Sequence, residues 1–494
     1  MTSTAPKLET GAVAESPTAA DGPDATRATC WRVWSWRGAD LILAATVAAG
    51  CAVRIVQWAA SRLYSHDEIS LLYSIRTIPV GRLLSGPLLL AQGAPLLWLA
   101  GQSFVLRVFG DGERTMRAIP LLFACLSVAL VGLLARRVLS AVSAVVATAL
   151  FALAPLAAFY AWQVKPYSAD TAVAAGLLLL AVELSGRGWT VRHGLIWWGA
   201  AAVAAGLSFP SLFLVGGVSL ALVGGRLLGL TAPDGPRDRR SRVAECVRFC
   251  VPSGCWFAAA GLVYLLQLRH LDGLQGEYPM WAAGYAPGAS LVDHVTWTPS
   301  VFAAVVSLVW LTPQTLGALA LALAAVGVVS LWRRDRGAWL VIIAPIVVAY
   351  LAAVAHAYPL KGRLALWVVP SLVVLMAEPI WPWRGVTGAA RRWRQRRWVR
   401  VGIAAAGCLL VATVAVPAAR SSAYITASPD QYDLALRGQA HSIEKLLEVV
   451  RAQQRPGDRF VAQETYFNKA TWYGHERGIR VDGVLAVVAS APGC

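Results

Sequence analysis

Charged residues are scarce in this chain. Only 14% of its 494 residues are Asp, Glu, Lys or Arg, while 57% are hydrophobic and the mean hydropathy is +0.57. A soluble domain of this size needs a far more polar surface, so a soluble enzyme or binding module is excluded. The composition predicts a polytopic membrane protein.

Acidic residues are fewer than basic ones: the chain has 27 Asp and Glu against 44 Lys and Arg, and its net charge is +17. In a soluble protein this excess would suggest nucleic acid. In a membrane protein Arg and Lys collect in the cytoplasmic loops, so the charge indicates orientation first. Runs that mix Arg with Trp at 30–37 and 391–398 suit anionic membrane lipids, and no nucleic-acid partner is predicted.

Metal-ligand spacing and a signal peptide are also lacking. The eight cysteines are scattered, mostly within apolar segments and without nearby His, which predicts free, mostly buried thiols. Cys246 and Cys250 lie one helical turn apart, but small apolar packing is the commoner role for such a pair. The first 29 residues have no apolar core segment. We therefore interpret residues 1–37 as a disordered cytoplasmic tail, followed by an uncleaved membrane anchor.

Long apolar stretches dominate the rest of the chain. A helix needs roughly 20 apolar residues to cross the bilayer. The segment from Ala94 to Phe109 is shorter and contains Gln102 and Arg107, so we interpret it as an interfacial helix. The pattern predicts an all-α polytopic membrane protein with about 11 transmembrane helices and with juxtamembrane helices in the first and fourth outer loops. The eleven predicted spans are 40–60, 117–135, 139–160, 168–185, 194–209, 211–230, 246–267, 313–331, 338–356, 364–380 and 401–419.

The arginine-rich loops all fall on the side of the N-terminal tail in this arrangement. The positive-inside rule then predicts a multi-pass protein of the cell (plasma) membrane with a cytoplasmic N-terminus and an extracytoplasmic C-terminus. The outer face gathers the segments 61–116, 162–168, 268–312 and 356–363. The 268–312 loop contains a second short apolar run, and its aromatic residues suit either a lid over a lipid or sugar or an interfacial aromatic belt.

The predicted transmembrane domain covers residues 38–420. After Arg420 the sequence is typical of a soluble domain, with a helix-like stretch at 439–454 and strand-like runs at 459–463 and 479–488. We expect residues 421–494 to form a small extracytoplasmic α/β domain that contacts the outer loops.

An acidic pair, Asp67 and Glu68, follows the first apolar stretch at the outer mouth of the bundle. One carboxylate can take a proton from an acceptor while the other holds the geometry, and a solvated loop charge is the alternative. Asp170 lies near the outer start of a membrane helix, where a carboxylate is costly unless a cation or metal is close. A helix N-cap is its structural alternative.

Cations lie on the same predicted face as the carboxylates. Transfer of a sugar from a polyprenyl phosphate requires both a carboxylate base and cations, which would neutralise the lipid phosphate as it leaves. A phosphate leaves readily, so no second carboxylic acid is needed to protonate it, as one is in glycosidases. Snorkelling is the alternative for Lys165 and Arg363. The candidate substrate-binding residues are Gln92, Arg117, Lys165, Tyr167, His356, Tyr358, Lys361 and Arg363. No cofactor is assigned with certainty. Asp67 and Asp170 would suit a divalent cation, Mg²⁺ or Mn²⁺, whereas proton transfer needs none.

Several short motifs occur in a characteristic order over residues 40–380. After the acidic pair come Gln92 to Trp98, Phe109 to Arg117, Lys165-Pro166-Tyr167 and Tyr358 to Arg363. This order resembles the type C membrane glycosyltransferases, and most of all the bacterial relatives of protein O-mannosyltransferases and of the aminoarabinose transferase that modifies lipid A.

The resemblance implies catalytic roles and a donor. It makes Asp67 the base, gives Glu68 a supporting role, and matches Asp170 to a second acidic residue near the same site. It also implies a polyprenyl-monophosphate sugar donor that enters from the outer leaflet, with a lipid, polysaccharide or protein acceptor. The chain departs from the family at Gly93-Ala94-Pro95, where relatives commonly carry His or Lys before the proline.

Two other classes of function compete with a transferase. A secondary transporter or lipid flippase should show ionisable residues near the bilayer midplane, broken helices and paired halves. In a non-catalytic assembly protein, Asp67 and Glu68 would be replaceable by Asn and Gln without effect.

Overall fold

The fold is a bundle of α-helices, as the sequence predicts. The computed structural model describes residues 38–60, 64–90, 92–231, 238–271, 279–288, 290–310, 314–380, 452, 460–463 and 481–485. The helices are α1 Gly38–Ala59, α2 His66–Thr77, α3 Val80–Ser85, α4 Leu96–Phe109, α5 Glu113–Met116, α6 Ala118–Val138, α7 Ala141–Ala152, α8 Pro155–Phe159, α9 Tyr167–Ser185, α10 Val191–Leu207, α11 Pro210–Leu227, α12 Arg239–Cys250, α13 Gly254–Leu266, α14 Leu291–Trp310, α15 Gln314–Arg334, α16 Arg336–Val354 and α17 Val369–Ala377. Short 3₁₀ turns include Tyr160–Trp162, Pro279–Gly284 and Gly362–Val368.

Within the described residues, nine helical segments are long and apolar enough to cross a membrane. A tenth would form if α7 and the segment Pro155–Trp162, which meet at a bend of 57°, count as one span. The predicted span at 194–209 corresponds to α10, a shorter helix of 17 residues. The predicted span at 401–419 lies outside the described residues.

Helix α4 has 14 residues and is too short for a span, in agreement with the interfacial helix expected there. Gly110, with a φ of +86°, ends it, because glycine adopts this left-handed conformation without steric cost.

Helix α14 is longer than predicted. We expected a juxtamembrane helix and a short apolar run in the 268–312 loop, and the structure has there a 20-residue helix from Leu291 to Trp310. Polar residues and Pro299 interrupt the apolar pattern in its first half. Hydroxyl groups there bond to carbonyls one turn earlier, as Thr298 Oγ1 does to His294 O at 2.7 Å, so the helix continues through them.

Small residues let the central helices approach each other closely. A Cβ atom on Gly50 of α1 would lie 2.8 Å from the Cβ of Ala152 in α7, so only glycine fits at this contact. Large aromatic side chains fill the space between other helices, and Trp310 donates its indole N–H to Leu150 O at 2.9 Å.

The two ends of the bundle have different polar residues. At one end Arg334 donates to Val138 O at 2.7 Å and to Glu378, and Arg136 pairs with Asp40. The other end carries the candidate site described below. The inside and outside assignment of the two ends stays a prediction from the loop charges.

Two short strands, β1 Phe460–Gln463 and β2 Val481–Leu485, pair in parallel. They coincide with the strand-like runs predicted after residue 458. The rest of the predicted C-terminal domain and the N-terminal tail lie outside the described residues, so these domain assignments stay predictions.

Candidate active site

Glu68 builds the start of α2. Ser65 is the N-cap: its hydroxyl accepts from the Glu68 N–H at 3.3 Å, and Glu68 Oε2 accepts from the Ser65 N–H at 2.8 Å. This capping box satisfies two backbone donors that the helix leaves unpaired. The Ser65 hydroxyl donates in turn to Gln163 Oε1 at 2.8 Å. The cap therefore links the first outer segment to the loop before α9.

Glu68 is also fully buried and paired with a cation. Arg117 donates to both of its oxygens, through Nε at 2.8 Å and Nη2 at 2.9 Å, and the Val164 N–H donates to Oε1 at 3.0 Å. The Arg117 guanidinium lies over the rings of Tyr64 and Trp162. These contacts join the start of α2 to Arg117 and to the loop before α9. The predicted phosphate contact of Arg117 is not among them.

Asp67 points elsewhere and is more accessible. Its carboxylate pairs with Arg363, and the two side chains keep 36% and 26% of their surface exposed. The Arg363 guanidinium lies between two aromatic rings, 5.5 Å from the centroid of Tyr167 and 5.4 Å from that of Trp281. Tyr160 hydrogen-bonds to the same guanidinium. Stacking and hydrogen bonding fix the direction in which this cation faces Asp67.

Lys165 is the second cation of the cluster. It is buried, and its ammonium donates to Gln92 Oε1 at 2.5 Å. Burial lowers the pKa of Lys165 to about 8, Asp67 opposes this shift, and Arg363 adds to it. The Gln92 amide oxygen is thus a neutral acceptor beside this cation.

Asp170 lies in the first turn of α9, and Tyr167, which stacks on Arg363, interacts electrostatically with both Asp170 and Asp67. Asp170 is 5% exposed and hydrogen-bonds to Ser208, and its Oδ1 has no hydrogen-bond partner among the described residues. Its catalytic role stays a prediction.

The predicted residues of the last outer segment make different contacts, and Tyr358 interacts electrostatically with Arg363 and Tyr167. His356 is exposed, has a φ of +53° and stacks on Tyr285 with ring centroids 5.1 Å apart. Tyr358 packs on Phe213 at 5.8 Å, and burial raises its pKa well above the usual range. Lys361 lines a cavity of about 720 Å³ beside α14. Of this segment, Arg363 pairs with Asp67.

A divalent cation finds little support in the geometry. In the part of the chain that the structure describes, no three His, Cys, Asp or Glu side chains converge as metal ligands. Asp67 already pairs with Arg363, and Asp170 faces Ser208. The residues therefore fit an anion better than a metal ion, and no step below depends on a metal. The Mg²⁺ or Mn²⁺ site stays a prediction.

Sequence reasoning included Tyr167 but missed Trp281 and Tyr160, the other two aromatic residues that hold Arg363. Trp281 lay in a loop assigned to either a lid or a belt, and Tyr160 was placed at the end of a span. A sequence signal existed for Glu68, because Ser65-His66-Asp67-Glu68 has the S-x-x-E pattern of a capping box. The five described cysteines are free thiols, as expected, but they are not mostly buried: only Cys246 is buried among them, and Cys255 is exposed.

Comparisons with known proteins support the fold. No protein-family model matches the sequence, and no curated protein does. The structure resembles ArnT from Cupriavidus metallidurans bound to undecaprenyl phosphate, with a TM-score of 0.51 and 16% identity over 90% of this chain and 86% of that one. It also matches the archaeal oligosaccharyltransferase of Archaeoglobus fulgidus.

The archaeal structure in complex with Zn and sulfate has a TM-score of 0.49 and 12% identity over 90% of this chain, which spans only 62% of the length of that protein. A second structure, AglB with an inhibitory peptide and a dolichol-phosphate, has a TM-score of 0.48 and 14% identity over 88% and 63% of the two chains. At 16% identity, the similarity to ArnT is evidence for the fold alone. The chain has the fold of the polytopic type C membrane glycosyltransferases.

Proposed function

We propose that this protein transfers a sugar from a polyprenyl-monophosphate donor to a hydroxyl group of an acceptor on the extracytoplasmic face of the membrane. In this proposal Asp67 is the base, and Lys165 and Arg363 bind the phosphate of the donor. The site lies at one end of a membrane bundle, where a lipid-linked donor can reach it from the bilayer.

One observation carries the proposal. A half-exposed carboxylate, Asp67, stands in a cluster with Arg363 and Lys165, and these residues come from three distant parts of the chain. Two cations attract an anion such as a lipid phosphate. Because protein groups hold both cations in place, no further free energy is spent on orienting them during the reaction. An acceptor hydroxyl next to Asp67 can donate its proton to this carboxylate.

The reaction needs one bond exchange at the sugar. The acceptor oxygen forms a bond to the anomeric carbon, and the bond between that carbon and the phosphate oxygen breaks. The phosphate leaves with the electron pair, and its growing negative charge is stabilised by Lys165 and Arg363. The proton of the acceptor hydroxyl passes to Asp67, which later returns it to water.

Asp67→Asn tests the base. The substitution keeps the shape of the side chain but removes a proton acceptor, so we expect transfer of a labelled sugar from polyprenyl phosphate in vesicles to fall about 10²–10⁴-fold. Asp111→Asn is the matched control, because Asp111 makes a surface ion pair with Arg76 at 3.2 Å and such pairs contribute little. Transfer by Asp67→Asn at the wild-type rate would reject the base assignment.

The same vesicles separate a transferase from a flippase. A wild-type protein that moves polyprenyl phosphate between leaflets but never transfers a sugar would favour the transporter interpretation. We expect sugar transfer, and we expect Asp67→Asn to retain donor binding, since Lys165 and Arg363 remain.

A further inference from the structure

A charged side chain lies inside the bundle, in helix α1. Arg54 is fully buried and belongs to the candidate membrane span Gly38–Ala59. A cation in the apolar part of a membrane protein is costly unless polar groups of the protein surround it. The Arg54 Nη1 donates to Gly50 O at 2.9 Å and to Ala152 O at 3.0 Å. Ala152 is the last residue of α7, so Arg54 joins α1 to the end of another helix.

Helix α7 ends at a break, where the chain bends by 57° before α8. Pro155 begins α8 and has no N–H to donate. Ala154 donates to Phe151 O at 3.1 Å, one residue short of its α-helical acceptor, Leu150 O. The α-helical donor for Ala152 O lies in α8, beyond the bend. At the break, the described backbone therefore leaves the carbonyls of Leu150 and Ala152 to other donors.

Side chains from two other helices donate to these carbonyls. Arg54 of α1 donates to Ala152 O, and Trp310 at the end of α14 donates its indole N–H to Leu150 O at 2.9 Å. Trp310 is 1% exposed, so water has almost no access to this contact. A buried carbonyl without a donor costs free energy, and a cation at a helix C-terminus also interacts favourably with the helix dipole. The two side chains thus stabilise the bent arrangement of α7 and α8.

The segment that follows the bend supplies much of the candidate site. Residues 160–165 are all buried. Tyr160 hydrogen-bonds to the Arg363 guanidinium. The Val164 N–H donates to Glu68 Oε1 at 3.0 Å, and Lys165 is the second cation of the cluster. A change in the bend would move all of these groups together, because the segment is short and continuous with α8.

We propose, on the basis of the transferase function above, that Arg54 and Trp310 position the cations of the candidate site. They hold the bend between α7 and α8, and the bend sets the place of residues 160–165. Lys165 depends on the bend directly, and Arg363 depends on it through Tyr160. Arg54 and Trp310 are positioning residues, since their effect on the reaction passes through the backbone of the bend.

Titration of Lys165 measures this position without any turnover. The chain has five lysines, so the full-length protein labelled at the lysine ε-carbon gives few NMR signals in detergent micelles, and Lys165→Arg assigns the relevant one. Burial lowers the pKa of Lys165 to about 8, while Asp67 and Glu68 oppose this shift and Arg363 adds to it. We expect the wild-type signal to titrate with this midpoint.

Two substitutions each remove one of the donors to the break. Arg54→Met keeps a long side chain, and Trp310→Phe keeps an aromatic ring. A looser bend lets water reach the Lys165 ammonium, so we expect both to raise the midpoint from about 8 to above about 9, toward the value of about 10.4 for a solvated lysine. Arg54→Lys keeps a donor and a charge, and its midpoint should stay near that of wild type. Sugar transfer per folded molecule should fall roughly 10²-fold in Arg54→Met, since a small misplacement of binding groups has effects of this size.

Arg334→Met is the matched control. Arg334 also donates to the carbonyl of the last residue of a helix, Val138 O of α6 at 2.7 Å, but at the opposite end of the bundle. This variant should lose stability, because Glu378 loses its partner, and should keep the wild-type midpoint and the wild-type transfer per folded molecule.

The outcomes separate positioning from general stability. A wild-type midpoint in Trp310→Phe, the milder of the two substitutions, would reject the proposal even if Arg54→Met does not fold. An equal rise in Arg334→Met would reject it too, because the rise would then reflect general loosening of the bundle. Failure of the transferase function has a different signature: the midpoint rises as expected in the variants, but the wild-type protein transfers no sugar from any polyprenyl-phosphate donor.

Discussion

Replacing Glu68 by Gln should destabilise the protein far more than it changes the chemistry. Each Glu68 oxygen accepts from two donors: Oε1 from Arg117 Nε and Val164 N, and Oε2 from Arg117 Nη2 and Ser65 N. A glutamine amide presents an NH₂ group to one of these donor pairs in either orientation. Two hydrogen bonds become repulsive contacts, and the buried guanidinium loses its counter-charge.

The magnitude follows from burial. Both side chains are almost completely buried, with 2% of Arg117 and none of Glu68 exposed, so water cannot replace the lost partner. Removal of one partner from such a pair typically costs about 3–5 kcal/mol. Glu183→Gln is the control, because Glu183 pairs with two exposed arginines, Arg137 and Arg187, and exposed ion pairs each contribute at most about 1 kcal/mol.

Thermal unfolding in detergent measures the effect, and the readout is the fraction of protein that stays monodisperse as the temperature rises. We expect a lower unfolding midpoint for Glu68→Gln and for Arg117→Gln, and a double variant that is less destabilised than the sum of the two. Sugar transfer per folded molecule should fall much less than in Asp67→Asn. A Glu68→Gln protein with wild-type stability and no transfer would refute the positioning role and make Glu68 part of the chemistry.

Three further predictions concern the cations. In wild type, kcat/KM for the donor should fall as the pH rises through about 8, because Lys165 loses its proton there, and Lys165→Arg should abolish this fall since arginine stays charged; a pH profile unchanged by the substitution would contradict this. Gln92→Leu should raise the donor KM about tenfold with little change in kcat, because a hydrogen bond to a charged group contributes about 1.5–3 kcal/mol; steady-state kinetics at pH 7 measure it, and an unchanged KM would show that Gln92 is dispensable. Arg363→Lys should reduce transfer at least about tenfold in spite of the conserved charge, because lysine stacks poorly between two rings; equal rates would mean that only the charge matters.

Sequence alone could predict the fold class and the cation cluster in part. Apolar length and loop charge predict helices and their sides, and these place Asp67, Lys165 and Arg363 on one face. The pairings within the face could not be predicted. Gln92 and Lys165 are 73 residues apart, and nothing in either motif indicates that one side chain accepts from the other.

Composition and motif order also could not predict that neighbouring residues have different roles. Asp67 and Glu68 look equivalent in sequence, yet a single residue step along the helix directs Glu68 toward Arg117 and Asp67 toward Arg363. Adjacent residues on a helix face directions about 100° apart, so a pair of acids at the start of a helix serves two different sites. Helix α14 was underestimated because side-chain hydroxyls, which lower helix propensity, bond back to its own carbonyls.

The separation of Asp67 and Arg363 along the chain has a consequence for biosynthesis. The two residues are 296 positions apart, so at typical translation rates of about 5–20 residues per second Asp67 waits roughly 15–60 s for the guanidinium that pairs with it. Glu68 finds Arg117 and Val164 much sooner. The nascent protein therefore assembles the start of α2 early and acquires the complete cationic cluster only after α16 has been synthesised. A fragment that ends before residue 363 would contain Asp67 and Lys165 without Arg363.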